Sequence, residues 1–401
     1  MSKLIVRGPI LTLSGYGYHS RQFVHWGREM QLAGHFDQVS FEILPWGITP
    51  WMLHSEDAYD KDIINYVMSN SSQGDRNGDA SIQIQLPHEW DSTIARFNIG
   101  VTAGVETDRV SPEWITACFR MDRVIVPSQF SKRAFLNSVS DEYDKKRLSK
   151  RIEVFNEAYH PSLLSPAATG LELDALPEKN FLLFGQLTGT DASNDRKNTF
   201  NAIKWFVEEF GDDPNVGLIV KTNSGKNTTI DRKITRGKLD ACVREALRIS
   251  GKTGAPKVFL MHGAMTEPEK RALYQNQKVV SLLMPTRGEG YGLPVLEAAL
   301  LGLPIIAPAH SGYMDFAADL ITPIDFKLVS VPRSRIDGQI FIDASAWAEI
   351  DGDSCKAAMR RAVDCAVSPR EVNNEIAEQL SIGNVTSKLT ARYSKKTELY
   401  R

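Results

Sequence analysis

Short apolar stretches typical of buried strands alternate with helical patterns along most of the chain, and this alternation constrains the fold most. Strands separated by helices form parallel βαβ units, so the sequence predicts an α/β protein built from doubly wound sheets. In the first half the pattern predicts strands at residues 4–6, 39–44, 81–86, 97–101 and 123–126, and helices at about 112–120 and 129–138. In the second half it predicts strands at residues 180–184, 216–220, 258–261, 279–283 and 304–307.

A proline-rich break in this pattern divides the chain. Residues 161–178 contain Pro161, Pro166, Gly170 and Pro177, a composition typical of a linker. A chain of 401 residues is long for one core and sufficient for two. Two doubly wound sheets would face each other across a cleft, with ligands beyond the carboxyl ends of the strands. The expected segments are a domain at 1–165, a linker at 166–178, a second domain at 179–380, and a helix at 381–401 that packs back on the first domain.

The composition excludes several classes of protein. The net charge is -2, so no overall field attracts the chain to nucleic acid or membrane. The four cysteines form no C-x-x-C pair and have no zinc-finger spacing to a histidine. No stretch of about 18 apolar residues occurs, and the apolar run at residues 4–6 is too short for a signal peptide. We expect a cytoplasmic protein without a transmembrane segment.

The densest motif is P-T-R-G-E-G-Y-G-L-P-V-L-E-A-A at residues 285–299, which follows a predicted strand and opens a helical pattern. Its glycines allow the backbone to approach a ligand closely, and the start of the helix offers N–H groups to a diphosphate. Glu289 and Glu297 can each accept paired hydrogen bonds from vicinal hydroxyls, one on a ribose and the other on a sugar. The alternative is a glycine-rich loop that only begins an ordinary helix.

This motif resembles the E-x7-E signature of the retaining GT-B glycosyltransferases of the "group 1" family, which are similar to glycogen synthase. Residues 98–109, 112–114 and 126–131 resemble the end of the amino-terminal domain in that family. Gly185 followed by Arg196-Lys197-Asn198 resembles its phosphate clamp. The resemblance implies the GT-B fold, in which two Rossmann-like domains face a cleft, and it covers roughly residues 1–320.

The resemblance also implies a role for each matching residue. The donor would be a UDP- or GDP-linked sugar, with no permanently bound cofactor and no metal. Transfer would retain the anomeric configuration, and the departing diphosphate would help to take the acceptor proton. His88, which follows a predicted strand and has a structural role as its alternative, would face the sugar. The implied catalytic residues are His88, Arg196, Lys197 and Glu289; the implied donor-binding residues are Gly15, Gly17, Lys221, Gly290, Tyr291, Gly292, Leu293 and Glu297.

One possible metal motif, Asp351-Gly352-Asp353, precedes a helical pattern. The D-x-D spacing occurs in metal-dependent sugar transferases. At this position we interpret it as a turn and helix N-cap.

The acceptor is the least defined part of the sequence. Aromatic residues in the first half can stack on sugars or bases, although core packing explains them equally well. Residues 7–21 and 311–316 resemble small glycosyltransferases of large bacteriophages, some of which modify hydroxymethylcytosine in DNA. A glycan, a lipid, a small molecule or phage DNA therefore remain possible acceptors, and a GT-B sugar-nucleotide epimerase is a further alternative. The candidate acceptor residues are Trp46, Trp51, Trp90 and Glu106.

Overall fold

A computed structural model describes residues 2–168, 171, 173–187 and 192–393. By their contacts these residues form two compact units. Unit 1 lies within 1–162, 337–345 and 378–401, and unit 2 within 163–336 and 346–377. The boundary thus falls before residue 163 rather than after 165, and the return of 337–345 to unit 1 was not expected. Residues 169, 170 and 172 of the expected linker and 394–401 of the expected terminal helix lie outside the described residues.

Unit 1 contains a six-stranded parallel sheet in the order β2-β1-β3-β4-β5-β6. The chain moves outward from β1 in one direction and from β3 in the other, which confirms the predicted doubly wound α/β class. The strands are β1 (Lys3–Gly8), β2 (Gln38–Ile43), β3 (Gly78–Ile84), β4 (Ala95–Val101), β5 (Arg123–Val126) and β6 (Ile152–Val154). The helices between them are α1 (Gly15–Leu32), α2 (Ala58–Ser69), α3 (Pro112–Arg120), α4 (Gln129–Asn137) and α5 (Glu142–Arg151).

The start of α1 explains one of the two glycines near the amino terminus. The Ser14 side chain accepts a hydrogen bond from the Gly17 N–H, so Ser14 caps a helix that begins at Gly15. Both Gly15 and Gly17 therefore lie in the first turn of α1. A Cβ atom at Gly17 would lie 2.1 Å from the Thr12 carbonyl oxygen, whereas a Cβ at Gly15 would meet nothing within 4 Å. Gly17 is needed for local packing.

Strand β3 corrects an expectation about burial. Its alternating sequence predicts a strand with one face in solvent, yet residues 80–84 are all buried. Polar side chains on it are hydrogen bonded inside the protein: Ser81 donates to Asn98 at 2.7 Å, and Gln83 exchanges two bonds with the backbone of Asp91. Buried polar groups with such partners are tolerated in a core, so the alternation does not mark a solvent face here.

Unit 2 contains a second six-stranded parallel sheet, in the order β12-β11-β10-β7-β8-β9, and a separate two-stranded antiparallel hairpin. The sheet strands are β7 (Lys179–Phe184), β8 (Val216–Lys221), β9 (Lys257–Met261), β10 (Val279–Leu283), β11 (Ile305–Pro308) and β12 (Ile321–Ile324). The hairpin pairs β13 (Phe326–Ser330) with β14 (Ala346–Ile350). The helices that begin in this unit are α6 (Thr199–Phe210), α7 (Thr229–Ser250), α8 (Glu267–Gln275), α9 (Leu293–Leu300), α10 (Met314–Ala317), α11 (Gly352–Asp364) and α12 (Asn374–Gln379).

The D-x-D sequence lies at the start of α11. The Asp351 carboxylate accepts a hydrogen bond from the Ser354 N–H at 2.8 Å, which confirms that it is a helix N-cap. The Asp353 side chain is almost fully exposed and pairs with Lys356 at 2.9 Å. Both carboxylates therefore have local structural roles.

The last described helix, α13 (Ile382–Tyr393), belongs to unit 1. It packs against α1, where the Trp26 Nε1 donates to Thr390 Oγ1 at 3.1 Å. Arg392 extends the contact through two hydrogen bonds to Glu153 at 2.7 and 2.9 Å. Among the helices of the described residues, none has both the length and the apolar character needed to span a bilayer.

Candidate active site

The sheet of unit 2 reverses its direction of growth between β7 and β10. From β7 the chain adds β8 and β9 on one side, and from β10 it adds β11 and β12 on the other. In parallel sheets, ligands bind at such a reversal, beyond the carboxyl ends of the strands. The loop after β7 carries Arg196 and Lys197, and the loop after β10 carries Glu289. The Arg287 N–H donates to the Arg196 carbonyl oxygen at 2.9 Å and joins the two loops.

Glu289 is the centre of a buried cluster of charges. Its Oε1 accepts hydrogen bonds from Arg196 Nη1 at 2.8 Å, from Lys197 Nζ at 2.5 Å and from Thr286 Oγ1 at 3.0 Å. Burial alone would raise the pKa of the Glu289 carboxyl, but the charges of Arg196 and Lys197 outweigh burial and lower that pKa to about 2. Two cations thus share one carboxylate oxygen.

The backbone around Glu289 is held rigidly. Its N–H donates to Ser311 Oγ at 3.1 Å, and its carbonyl oxygen accepts from the Gly312 N–H at 2.9 Å. Gly292 has φ = 100° and precedes the first residue of α9, a conformation that disfavours a side chain. A Cβ there would also lie 3.0 Å from the Tyr313 ring. The predicted Gly290, Tyr291 and Gly292 are buried and Leu293 is half-buried.

Glu297, on α9, accepts a hydrogen bond on each of its carboxylate oxygens. Oε1 accepts from Lys270 Nζ at 2.6 Å, and Oε2 accepts from the Tyr274 hydroxyl at 2.9 Å. Lys270 also pairs with Glu267 at 2.9 Å. Burial disfavours the charged lysine, but Glu297 and Glu267 outweigh burial and raise the pKa of Lys270 above its usual range. No sequence motif indicates Lys270 or Tyr274 as partners of Glu297, because the contact joins two separate helices, α8 and α9.

Lys221 ends β8 in the same unit. Its Nζ donates to the Gly263 carbonyl oxygen, and it has no carboxylate partner among the described residues. Burial, and to a lesser extent the charge of Lys270, lowers the pKa of Lys221 to about 8. A largely buried cation with only neutral partners would gain from a bound anion.

The remaining predicted residues lie in unit 1. His88 Nδ1 accepts a hydrogen bond from Trp114 Nε1 at 3.2 Å, so the neutral ring carries its proton on Nε2. Trp46 stacks on Tyr16 with ring centroids 4.2 Å apart, and Trp51 is 39% exposed. Glu106 is half-buried in the loop after β4.

Trp90 does not fit the acceptor role predicted for it. It is only 5% exposed, and its ring occupies the space that a side chain at Gly100 would need. Its neighbours include Val105 and Trp114 of the same hydrophobic cluster. The structure therefore places Trp90 in the core of unit 1.

A polar group in unit 1, which no sequence motif indicates, joins Asp57, Asp60 and His160. His160 Nε2 lies 3.1 Å from Asp60 Oδ1, while His160 Nδ1 accepts from the Ser162 N–H at 3.2 Å. The spacing would suit a cation, but the Ser162 contact places the ring proton on Nε2, the atom facing Asp60. The arrangement is that of a histidine–aspartate hydrogen bond.

Comparison with known proteins agrees with this architecture. Residues 219–381 match the model of a family described as family 4 glycosyltransferases in conflict systems. The matched segment includes Lys221, Glu289 and Glu297 and begins after Arg196 and Lys197. No curated protein matches the chain.

Several solved structures share the fold along nearly the whole chain at low sequence identity. Sucrose-phosphate synthase from Thermosynechococcus elongatus aligns with a TM-score of 0.58 and 13% identity over 98% of this chain and 99% of its own. The lipopolysaccharide outer core galactosyltransferase WaaB aligns with a TM-score of 0.56 and 12% identity over 98% and 100%. Anabaena HepE, solved in complex with UDP and glucose, aligns with a TM-score of 0.55 and 10% identity over 98% and 100%.

The fold of these structures is the one predicted from the motif at residues 285–299, with two Rossmann-like domains. The family match over residues 219–381 supports the activity class. The chain is a glycosyltransferase with the GT-B fold, and its residues 219–381 are similar to the family 4 glycosyltransferases of conflict systems.

Proposed function

We propose that the protein transfers a sugar from a uridine diphosphate sugar to an acceptor hydroxyl, with retention of anomeric configuration. The observation that carries this proposal is the cluster of Arg196, Lys197 and Glu289 at the reversal point of the unit 2 sheet. Two cations beside one carboxylate suit a donor that presents a diphosphate and a polyhydroxylated sugar together.

The cations would stabilise the leaving group. As the bond from the sugar carbon to the phosphate oxygen breaks, negative charge grows on the diphosphate. Arg196, Lys197 and Lys221 would compensate that charge, together with the first N–H groups of α9. Loss of one such preorganised contact typically raises the barrier by about 3 kcal/mol. Because three cationic side chains could serve this purpose, we further propose that transfer needs no divalent metal.

Within a retaining reaction, the state of Glu289 disfavours a covalent sugar–enzyme intermediate. Its Oε1 already accepts three hydrogen bonds, and its pKa of about 2 marks it as a weak base. Such a carboxylate is a poor nucleophile toward the sugar carbon. We therefore propose a front-face substitution in which the acceptor oxygen bonds to the sugar carbon, the phosphate departs, and a phosphate oxygen takes the acceptor proton. Glu289 would bind the sugar hydroxyls.

Glu297 would accept the ribose hydroxyls. Each of its oxygens holds one partner in this structure, and a carboxylate oxygen can accept two. Support for uridine comes from Anabaena HepE, which was solved with UDP. A guanosine donor is the alternative that a donor panel must include. His88, Trp46 and Trp51 would contact the acceptor, for which we propose a glycan, lipid or small-molecule hydroxyl.

The test is a release assay with a panel of UDP- and GDP-sugars, with and without acceptors. Acceptors would include simple glycosides, lipid extracts and hydroxymethylcytosine duplex DNA, followed by mass analysis of every product. We expect release of UDP that Arg196→Ala and Glu297→Gln abolish. Arg248→Ala is the matched control, because Arg248 also pairs with a glutamate but on the surface of unit 2.

The result separates the alternatives. A mass gain on the DNA nucleoside would replace the proposed acceptor class with DNA. An altered sugar nucleotide without any transfer would indicate an epimerase. Release of GDP alone would overturn the uridine assignment. If no donor were turned over, the proposed function would be wrong.

A further inference from the structure

Helix α7 exposes three isoleucines to solvent, and two of them, Ile230 and Ile234, lie one turn apart. Ile230 is 71% exposed and Ile234 is 49% exposed. At about 100° per residue, Ile230 lies on the side of the helix opposite the buried Leu239. Gly237 and Ala241 continue the same side and are exposed. A Cβ at Gly237 would meet nothing within 4 Å, so this side of the helix is open.

Basic side chains border this strip. Residues 226–248 contain seven basic and three acidic residues in a chain whose overall charge is -2. Two of the basic residues are paired, Arg236 with Asp240 and Arg248 with Glu245. The other five are exposed and have no carboxylate partner among residues 2–168, 171, 173–187 and 192–393. They are Lys226, Arg232, Lys233, Lys238 and Arg244.

The combination of unpaired cations and exposed isoleucines selects the kind of partner. A nucleic acid backbone would use the cations but would gain nothing from Ile230 and Ile234. An interfacial helix on an anionic bilayer uses both, since its apolar side chains enter the headgroup boundary and its cations meet the phosphates. We propose that this surface, the α7 face (Lys226, Ile230, Lys233, Ile234, Lys238, Arg244), docks the protein onto an anionic membrane. Arg232 lies about 200° around the helix from Ile230 and is not part of this face.

Docking through this face would hold the proposed donor site near the membrane. The loop that carries Lys226 begins directly after Lys221, the cation at the end of β8. The two ends of one short loop would then contact the headgroups and the donor phosphates. The binding surface itself does not depend on the proposed function, because none of its residues belongs to the donor site.

Vesicle co-sedimentation tests the proposal. The full chain is mixed with vesicles of phosphatidylcholine alone, or of phosphatidylcholine and phosphatidylglycerol in equal amounts, at low and high salt. We expect binding only to the anionic vesicles, and weaker binding at high salt. The double variant Ile230→Ser/Ile234→Ser should bind about tenfold more weakly or worse. Lys226→Gln and Lys233→Gln should each weaken binding about fivefold.

A matched control uses another exposed cation and apolar residue of unit 2. Lys327 and Leu328 are neighbours on β13, with Leu328 53% exposed. Lys327→Gln/Leu328→Ser should bind vesicles like the unaltered protein. Circular dichroism and nucleotide release in solution should be unchanged in the α7 variants, which keeps this test separate from that of the proposed function.

Three results would overturn the proposal. The first is equal binding to neutral and anionic vesicles, and the second is unchanged binding by the isoleucine double variant. The third is binding to duplex DNA through Lys226 and Lys233 without any binding to vesicles, which would make the α7 face a nucleic acid surface.

Discussion

Lys270 on α8 and Glu297 on α9 form a buried ion pair, with Nζ and Oε1 2.6 Å apart. The same ammonium pairs with Glu267 at 2.9 Å, so one lysine neutralises part of the charge on two carboxylates. The pair therefore joins two helices and holds in place the carboxylate that we assign to the ribose. Its energetic contribution can be measured independently of catalysis.

Lys270→Met should destabilise the protein strongly. The substitution leaves two carboxylates with reduced compensation in a buried site, a change that typically costs about 3–5 kcal/mol. Urea unfolding measures the loss. Lys204→Met is the control, because the Lys204–Glu208 pair is more exposed and should cost roughly 1 kcal/mol or less. A loss at Lys270 no larger than that at Lys204 would contradict the buried pair.

Glu289 should make the free energy of unfolding fall at low pH. The pKa of Glu289 is lowered from its ordinary value to about 2 in the folded protein, so its stabilisation is complete above the unfolded pKa and is lost as the pH falls toward 2. Between pH 7 and about pH 3 the unaltered protein should lose roughly 2 kcal/mol more than Glu289→Gln. Unfolding free energies of both proteins at the two pH values give this difference. Equal losses would show that the carboxyl is not held by Arg196 and Lys197.

Lys221 should make the affinity for UDP fall at alkaline pH. Burial lowers the pKa of Lys221 to about 8, so its charge disfavours the folded state below that pH and is lost as the pH rises through it. A bound diphosphate would favour the charged form, and UDP affinity should therefore fall above about pH 8. Calorimetric titration with UDP at neutral and alkaline pH measures the effect. Lys221→Met should weaken binding about tenfold and remove the pH dependence. A pH dependence that survives the substitution would exclude Lys221 as its source.

Gly292→Ala should destabilise unit 2. Gly292 has φ = 100°, and its new Cβ would lie 3.0 Å from the Tyr313 ring, so both backbone strain and crowding oppose the substitution. The expected cost is about 1–3 kcal/mol. Gly237→Ala, inside α7 and facing open space, should instead stabilise by about 0.5–1 kcal/mol. Thermal melting of both variants shows the sign. Equal shifts would mean that the Gly292 conformation is not required.

The candidate site residues that the sequence indicates belong to local motifs. Arg196 and Lys197 lie in the loop after β7 and Glu289 lies in the loop after β10, and adjacency of β7 and β10 in a doubly wound sheet brings the two loops together. The partners of Glu297 were missed because Lys270 reaches it from another helix. The alternating sequence of β3 wrongly predicts a solvent-exposed face, because hydrogen bonds to Asn98 and Asp91 allow the polar side chains of this strand to be buried.

Aromatic side chains were the least predictable part of the sequence. Trp90 and Trp51 are the same type of residue and have the same predicted role. In the structure, the Trp90 ring fills the space beside Gly100, whereas Trp51 is exposed. The residue type gives the capacity to stack, and only the packing decides whether a ligand can reach the ring.

Unit 1 is assembled from stretches that lie far apart in the chain, with α13 packed on α1 and residues 337–345 returning between β13 and β14. Recombination at a single point between related genes would therefore not transfer either unit intact. A chimera that exchanges residues 1–162 alone would leave Thr390 and Arg392 of α13 against foreign residues in place of Trp26 and Glu153. Exchange of acceptor preference by shuffling would require three matched segments to move together, which favours change by point substitution over change by crossover.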